Sequence, residues 1–369
     1  MLQRDYKETN FLTSIRAIAI LLVFLIHSGG GGLRGLGPWG VLLVEMGKYG
    51  VQIFFVISGY TIFSQFYEEK YSLKGFWLIR IFRISIPYFP ILIGIFIYLR
   101  LGGRNFNAWA YKFNNGAVGI RNMLAHFSYL SAYSLKYQNT IIGVEWTLAV
   151  EVFFYGLFGL LIHYKIFKLN ILAFALFGLA FYLSSMLIQP IQEKYDLDLL
   201  LIHWMPFSYG YMFYLGGLAY YLRKLLNEKM YTKYPLLKAC LSDFVLEITI
   251  IIFFYTLIYS NFATPLYDLV EFEFVYATFF ILIFFSNDGK LSGLLNNRFL
   301  ITVGSFSFSF YLIHYIVILN TPQNTIPAVK FIIDLVISTA VSVLWYFIFE
   351  KLIYNKIKTT IKQYIAIHG

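Results

Sequence analysis

The feature that most constrains this chain is a succession of apolar runs, repeated from one end to the other and separated by short polar gaps. The clearest are Ile15 to Ile26, Ile84 to Leu99, Leu169 to Ile188, Ile248 to Tyr259 and Phe331 to Phe349. Several reach or approach the roughly 20 residues that an apolar helix needs to cross about 30 Å of hydrocarbon. Composition agrees: 59% of residues are hydrophobic and 13% charged, against about 25% charged in a soluble globular domain. Aromatic residues make up 21%, and Tyr and Trp suit the membrane interface while Phe suits lipid. The expected fold class is an all-α integral membrane protein with about ten transmembrane helices in one bundle.

Spans are expected near 14–32, 41–63, 81–99, 146–163, 169–188, 199–222, 243–260, 265–286, 299–320 and 330–350. The first run lacks a small-residue cleavage site and runs into Gly29 to Gly32, which reads as a retained first helix rather than a removed signal peptide. An eleventh apolar stretch, 117–135, contains Arg121, Asn122 and His126 and reads as a short helix lying outside the membrane or dipping into it. With ten spans and an inside N-terminus, about twice as many Lys and Arg fall on the side of both termini as on the other, which favours cytoplasmic ends. No gap is long enough for an independent soluble core, so residues 1–369 are expected to form one membrane domain with no appended soluble domain.

The net charge of +10 sits in gaps between apolar runs, where topogenic signalling explains it better than nucleic-acid binding. The single cysteine, Cys240, excludes an intramolecular disulfide and a cysteine-only metal site. No His, Asp and Glu positions show convincing metal-ligand spacing, so no metal is expected.

Ionisable residues inside apolar spans are costly and are functional candidates by default. Arg16 and His27 are one such pair. Their separation corresponds to three helical turns plus roughly 20°, so they share one face about 16 Å apart along the axis. The bland reading is a snorkelling Arg16 and an interfacial His27. Arg80 and Arg83 stand at the start of the third expected span, on one side at i, i+3 spacing. There they are able to grip the phosphates of a nucleotide-like donor, or simply anchor the helix. Glu151 lies about a turn inside an apolar span with Tyr155 following at i+4. It suits a carboxylate that supports an imidazole or positions a hydroxyl, or a structural partner for a buried base. Ser58, beside Gly59, permits close helix approach. His314 is a second intramembrane imidazole, while His163 and His203 look interfacial and His126 falls in the outer loop.

In this order, the stretches resemble the acyltransferase family 3 of multi-span membrane proteins. Arg16-Ala17-Ile18-Ala19-Ile20 through His27 is similar to the family's R-x10-H signature, Gly50 to Tyr60 to its FFVISG segment, and Arg80 to Arg83 to its R-x-x-R pair. Trp146-Thr147-Leu148 with Glu151 and Tyr155 resembles its tryptophan-serine-leucine and glutamate element, Ser307 to His314 its late Tyr-x-x-His, and Glu350-Lys351 its closing Glu-Lys. Thr147 stands where serine is usual, and Val152 where some relatives have a second polar residue.

The resemblance implies about ten helices, a cytoplasmic acyl-CoA donor and no permanently bound cofactor. It also implies an extracytoplasmic hydroxyl acceptor on an envelope carbohydrate such as lipopolysaccharide, capsule or exopolysaccharide. The expected partners are acyl-CoA, that carbohydrate and the lipid bilayer, with no nucleic acid. His27 is expected as general base or transient acyl acceptor, with Arg16 orienting it or the donor. Arg80 and Arg83 would bind coenzyme A phosphates, Glu151 would support the imidazolium or the acceptor, Trp146 would stack on a sugar, and His314 is a second proton carrier. The rival reading is a transporter or flippase for an envelope glycan or lipid-linked precursor, which predicts inverted repeats; the sequence shows no paired halves.

Overall fold

The computed structural model describes residues 2–67, 72–134, 136–164, 204–227, 267–284 and 292–368, with short stretches between 176 and 187 and between 233 and 251. These residues form helices and turns, with no strand among those described. In chain order the helices are α1 (Leu2–His27), α2 (Pro38–Glu45), α3 (Gly50–Tyr67) and α4 (Leu73–Arg100). Next come α5 (Ala108–Asn114), α6 (Ile120–Phe127), α7 (Trp146–His163), α8 (Gly210–Leu226) and α9 (Tyr267–Phe284). The last four are α10 (Arg298–Ser305), α11 (Ser307–Asn320), α12 (Pro327–Trp345) and α13 (Asn355–His368), with a π-helical segment, Tyr346–Tyr354, joining α12 to α13.

The helix boundaries have local causes. α1 stops because Gly29, Gly30, Gly31 and Gly32 all take positive φ, of 70°, 76°, 60° and 90°. A right-handed helix does not continue through that region, and glycine alone enters it without a Cβ penalty. α4 begins at Leu73 because the Ser72 hydroxyl accepts from Gly75 N at 3.3 Å, an N-cap.

Among the described residues four helices are long and apolar enough to cross a membrane: Asn10–His27, Pro38–Gln65, Leu73–Arg100 and Pro327–Ile365. A fifth is reached if α10 and α11, broken at Phe306, count as one span. This is fewer than the ten expected from apolar runs. α7 and α9 hold shorter apolar stretches, Trp146–Leu161 and Phe274–Phe284, and α8 has 17 residues. The expected spans near 169–188 and 243–260, and the starts of those near 199–222 and 265–286, fall wholly or largely outside the described residues. Two boundaries are corrected. The span expected at 81–99 starts eight residues earlier, so Arg80 and Arg83 lie inside α4. The 299–320 stretch is two helices, not one. Residues 117–135 carry the short α6 and a 3-10 turn at Ser131–Tyr133, as expected for a segment that does not span.

The chain divides into two compact units. The first comprises Met1–Ser64, Met212–Ser307 and Ile326–Phe331. Its helices approach through glycines. A Cβ at Gly59 of α3 would stand 2.0 Å from the Phe213 carbonyl oxygen of α8, and one at Gly216 of α8 would stand 2.0 Å from that of Val56. Gly304 of α10 lies equally tight on Thr13 of α1. Small residues that let backbones touch are the usual glue between helices in lipid.

The second unit comprises Gln65–Tyr211, Phe308–Thr325 and Ile332–Gly369. α4 is its axis, packed on α7 and on the π-helical segment. The Trp345 indole N–H donates to the Pro87 carbonyl at 2.9 Å, and that of Trp77 to the Tyr155 carbonyl at 3.0 Å.

Candidate active site

In the first unit, Arg16 and His27 lie on one unbroken helix, α1, so the shared face expected from their spacing stands. Both are half-buried. The turn after His27 is packed without slack. A Cβ at Gly30 would come within 2.1 Å of a Val44 methyl, and one at Gly31 within 2.8 Å of Phe331, whose ring packs 5.2 Å from that of Phe24. The glycine run therefore fixes where α1 ends and where His27 sits. Ser58, half-buried on α3, is next to the Gly59 contact.

The second unit gathers four expected residues: Arg80, Arg83, Glu151 and Tyr155. Arg80 is 2% exposed. Its guanidinium carbon stands 5.5 Å from the Phe76 ring centroid and 5.2 Å from that of Tyr155, a double cation–π contact. Its Nε donates to Gln65 Oε1 at 3.2 Å. Its Nη2 is buried with no hydrogen-bond partner among the described residues. The Tyr155 hydroxyl donates to the Glu151 carboxylate one turn earlier on α7. Arg83, one turn beyond Arg80 on α4, lies in the field of Glu350, Glu151, Tyr155 and Tyr354. Glu350 is held by Ser309, whose backbone N and hydroxyl donate to it at 3.1 and 2.5 Å. The result is Arg83 in the field of two carboxylates, beside an Arg80 whose Nη2 edge is left open among the described residues.

A second buried group was not singled out from the sequence. Glu145, 1% exposed, accepts from the backbone N–H groups of Ile141 and Ile142 at 2.9 and 3.1 Å and of Gly143 at 2.5 Å. His126, fully buried, faces it at 3.1 Å through Nε2, while its Nδ1 faces the Asn122 carbonyl at 2.9 Å. Both ring nitrogens therefore have hydrogen-bond partners within the fold. Burial pushes the Glu145 carboxyl up, but the His126 and backbone hydrogen bonds outweigh it and hold the group below the ordinary carboxylate range. Around this pair Asn122 donates to Thr140 at 2.8 Å and Asn107 to the Asn139 carbonyl at 2.7 Å. His126, which the sequence places in the outer segment, is the centre of a closed polar core there. Three peptide N–H groups just before a carboxylate at a helix start were the signal available for finding it.

The remaining candidates have settled surroundings. Trp146 opens α7 and stacks on Trp204 and Tyr209, with centroids 6.2 and 5.1 Å away. The Thr147 hydroxyl donates to that of Tyr311 at 2.8 Å, which donates onward to the Val144 carbonyl at 2.6 Å. Threonine thus does what a serine hydroxyl would. His314 is 0% exposed, with Nδ1 facing the Phe310 and Tyr311 carbonyls at 3.0 and 2.8 Å. A cavity of about 300 Å³ opens beside this unit's polar core, lined by Tyr98, Arg104, Asn105, Phe106 and Asn320 among others. Among the described residues no cluster of His, Cys, Asp and Glu is arranged to hold a metal ion.

Residues 9–351 match a family profile described as an acyltransferase domain. An all-helical chain with several membrane-length apolar helices that carries this domain is a membrane acyltransferase. It belongs to acyltransferase family 3, whose profile covers nearly the whole chain. No curated protein and no solved structure was found to match it.

Proposed function

We propose that the protein moves an acyl group, acetyl in the simplest case, from cytoplasmic acyl-CoA to a hydroxyl of an envelope carbohydrate. The acceptor class is lipopolysaccharide O-antigen, capsule or exopolysaccharide, and the protein sits in the inner membrane with ten spans and both termini cytoplasmic. The observation that carries the donor assignment is Arg80. It is a buried guanidinium clamped between two rings, with an Nη2 that lacks an acceptor and with Arg83 one turn away. A buried donor left unmade costs about 1–3 kcal/mol, and a phosphate oxygen would remove that cost.

His27 acts as general base. The neutral imidazole takes the proton of the acceptor hydroxyl as its oxygen attacks the thioester carbonyl. The C–S bond then breaks, and the coenzyme A thiolate leaves and takes up the proton. Arg16 orients the imidazole or the donor, and Glu151, held by Tyr155, positions the acceptor hydroxyl. The cavity at Tyr98, Arg104, Asn105, Phe106 and Asn320 offers aromatic faces and amide groups of the kind a sugar needs.

The test is transfer from radiolabelled acetyl-CoA by purified protein, read by mass spectrometry of envelope glycans. His27→Ala should reduce transfer by about 10²- to 10⁴-fold with membrane insertion intact, and near-normal acetylation would overturn the assignment. Reporter fusions after Gly369 and near Asn115 check the sidedness, the first active only in the cytoplasm and the second only outside.

A further inference from the structure

The match to the family ends at residue 351, and α13 lies beyond it. The continuous helix Pro327–Ile365 is 39 residues long, or about 58 Å at 1.5 Å per residue. That exceeds the roughly 30 Å of a hydrocarbon core, so its C-terminal turns project past the apolar layer. The sequence changes accordingly. α13 carries Lys356, Lys358 and Lys362 and no Asp or Glu.

α13 is not a loose tail. Ile357, Ile361 and Ile365 recur at i+4 spacing and pack with Tyr354 on Leu78, Ile79 and Ile86 of α4. A Cβ at Gly75 would stand 2.4 Å from the Ile365 methyl, and the Tyr354 hydroxyl donates to the Ile79 carbonyl at 3.2 Å. The helix therefore lies along the part of α4 that presents Arg80 and Arg83. Lys358 is half-buried, its ammonium 5.9 Å from the Tyr354 ring centroid, with Lys362 one turn on.

Lys358 lies in the field of three cations, Lys362, Arg83 and Arg80. Arg83 in turn lies in the field of Glu151 and Glu350. The Arg80 Nη2 is also buried without an acceptor among the described residues. Cations gathered around an open guanidinium edge are stabilised when an anion fills it.

Resting on the acyl-CoA reading above, we propose that α13 completes the donor site. Lys358, supported by Lys362, binds a phosphate monoester of the donor while Arg80 and Arg83 take the diphosphate. Guanidinium suits paired oxygens, and the compact ammonium suits a terminal dianion. The same phosphate chemistry is offered by an anionic lipid headgroup, and the experiment separates the two.

Binding of acetyl-CoA and of 3′-dephospho-acetyl-CoA would be measured by calorimetry on the full-length purified protein and on Lys358→Ala, Lys358→Arg and Lys358→Ala/Lys362→Ala. Wild type should prefer acetyl-CoA by about tenfold, the worth of one charge-assisted hydrogen bond. Lys358→Ala should lose that preference with dephospho binding unchanged, the double variant should do the same, and Lys358→Arg should keep most of it. Equal weakening of both ligands, or a wild type that binds both equally, overturns the inference while leaving the donor reading intact. Wild type that binds neither overturns both. A third arm measures thermal stabilisation by phosphatidylglycerol against phosphatidylcholine in nanodiscs. If Lys358→Ala abolishes the lipid response and leaves the acetyl-CoA preference, the lysine serves a headgroup and the inference falls.

Discussion

Two buried charge clusters in the same compact unit are built in opposite ways. Around Glu145 the bonding positions are taken, by three peptide N–H groups and one imidazole nitrogen, and the pair is sealed from solvent. Around Arg80 the burial is equally deep, yet one nitrogen has a hydrogen-bond partner, two rings hold the faces, and Nη2 has none. Buried polar groups are normally satisfied, and an exception needs a reason. The saturated cluster reads as a clamp that shapes the 100–145 segment; the incomplete one reads as a place for a ligand.

The largest effect should come from breaking the clamp. Glu145→Ala leaves a buried imidazole nitrogen and three peptide N–H groups without a partner, and should destabilise the unit by about 3–5 kcal/mol. Thermal melts and limited proteolysis between 100 and 145 would show it. Activity should fall only as far as folding does; lost transfer with unchanged melting would make Glu145 catalytic and collapse the contrast. The clamp also has a pH signature. The Glu145 carboxyl is held below its unfolded value, so its contribution is fully present above about pH 4 and is lost as pH falls through the depressed value. Protection of the segment should stay level from about pH 7 to 5 and drop below about 4. Glu145→Gln should lack the drop.

Opening the other cluster should do the reverse. Arg80→Ala should cost about 2–5 kcal/mol of donor-dependent transition-state stabilisation, a hundredfold or so in kcat/KM, with the melting temperature nearly unchanged. The cation–π and Gln65 contacts that are lost are offset by removing a buried donor that lacks a partner among the described residues, so a large loss of stability would show that the cluster is structural after all. The smallest effect is expected at Arg83→Lys, which keeps the charge and loses the planar fork. KM for the donor should rise by about tenfold or less with kcat little changed. An unaltered KM would leave Arg83 as a topology anchor.

Much of the site was legible from short-range pattern. The R-x10-H spacing places Arg16 and His27 on one face because helical periodicity is local, and α1 proves continuous across both. Arg80 and Arg83 were legible as a pair but not as buried groups. Lysine, tryptophan and arginine dilute the apolar run before residue 81, whereas the Ser72 cap starts α4 at Leu73 and draws both arginines inside. Trp146 was legible as an aromatic at a helix start, but its stacking on Trp204 depends on a residue 58 positions away.

The sequence by itself determined that the chain is helical, belongs in a membrane and carries the motifs of its family, because apolar run length and helical spacing are properties of neighbouring residues. Which polar groups are satisfied was decided only by the tertiary structure. Thr147 reaches Tyr311, Glu350 reaches Ser309, and α13 returns to α4. Hydrogen bonds between residues so far apart have no imprint on local pattern. The difference between a clamp and a binding site therefore appears only when the donors and acceptors around each buried charge are counted in place.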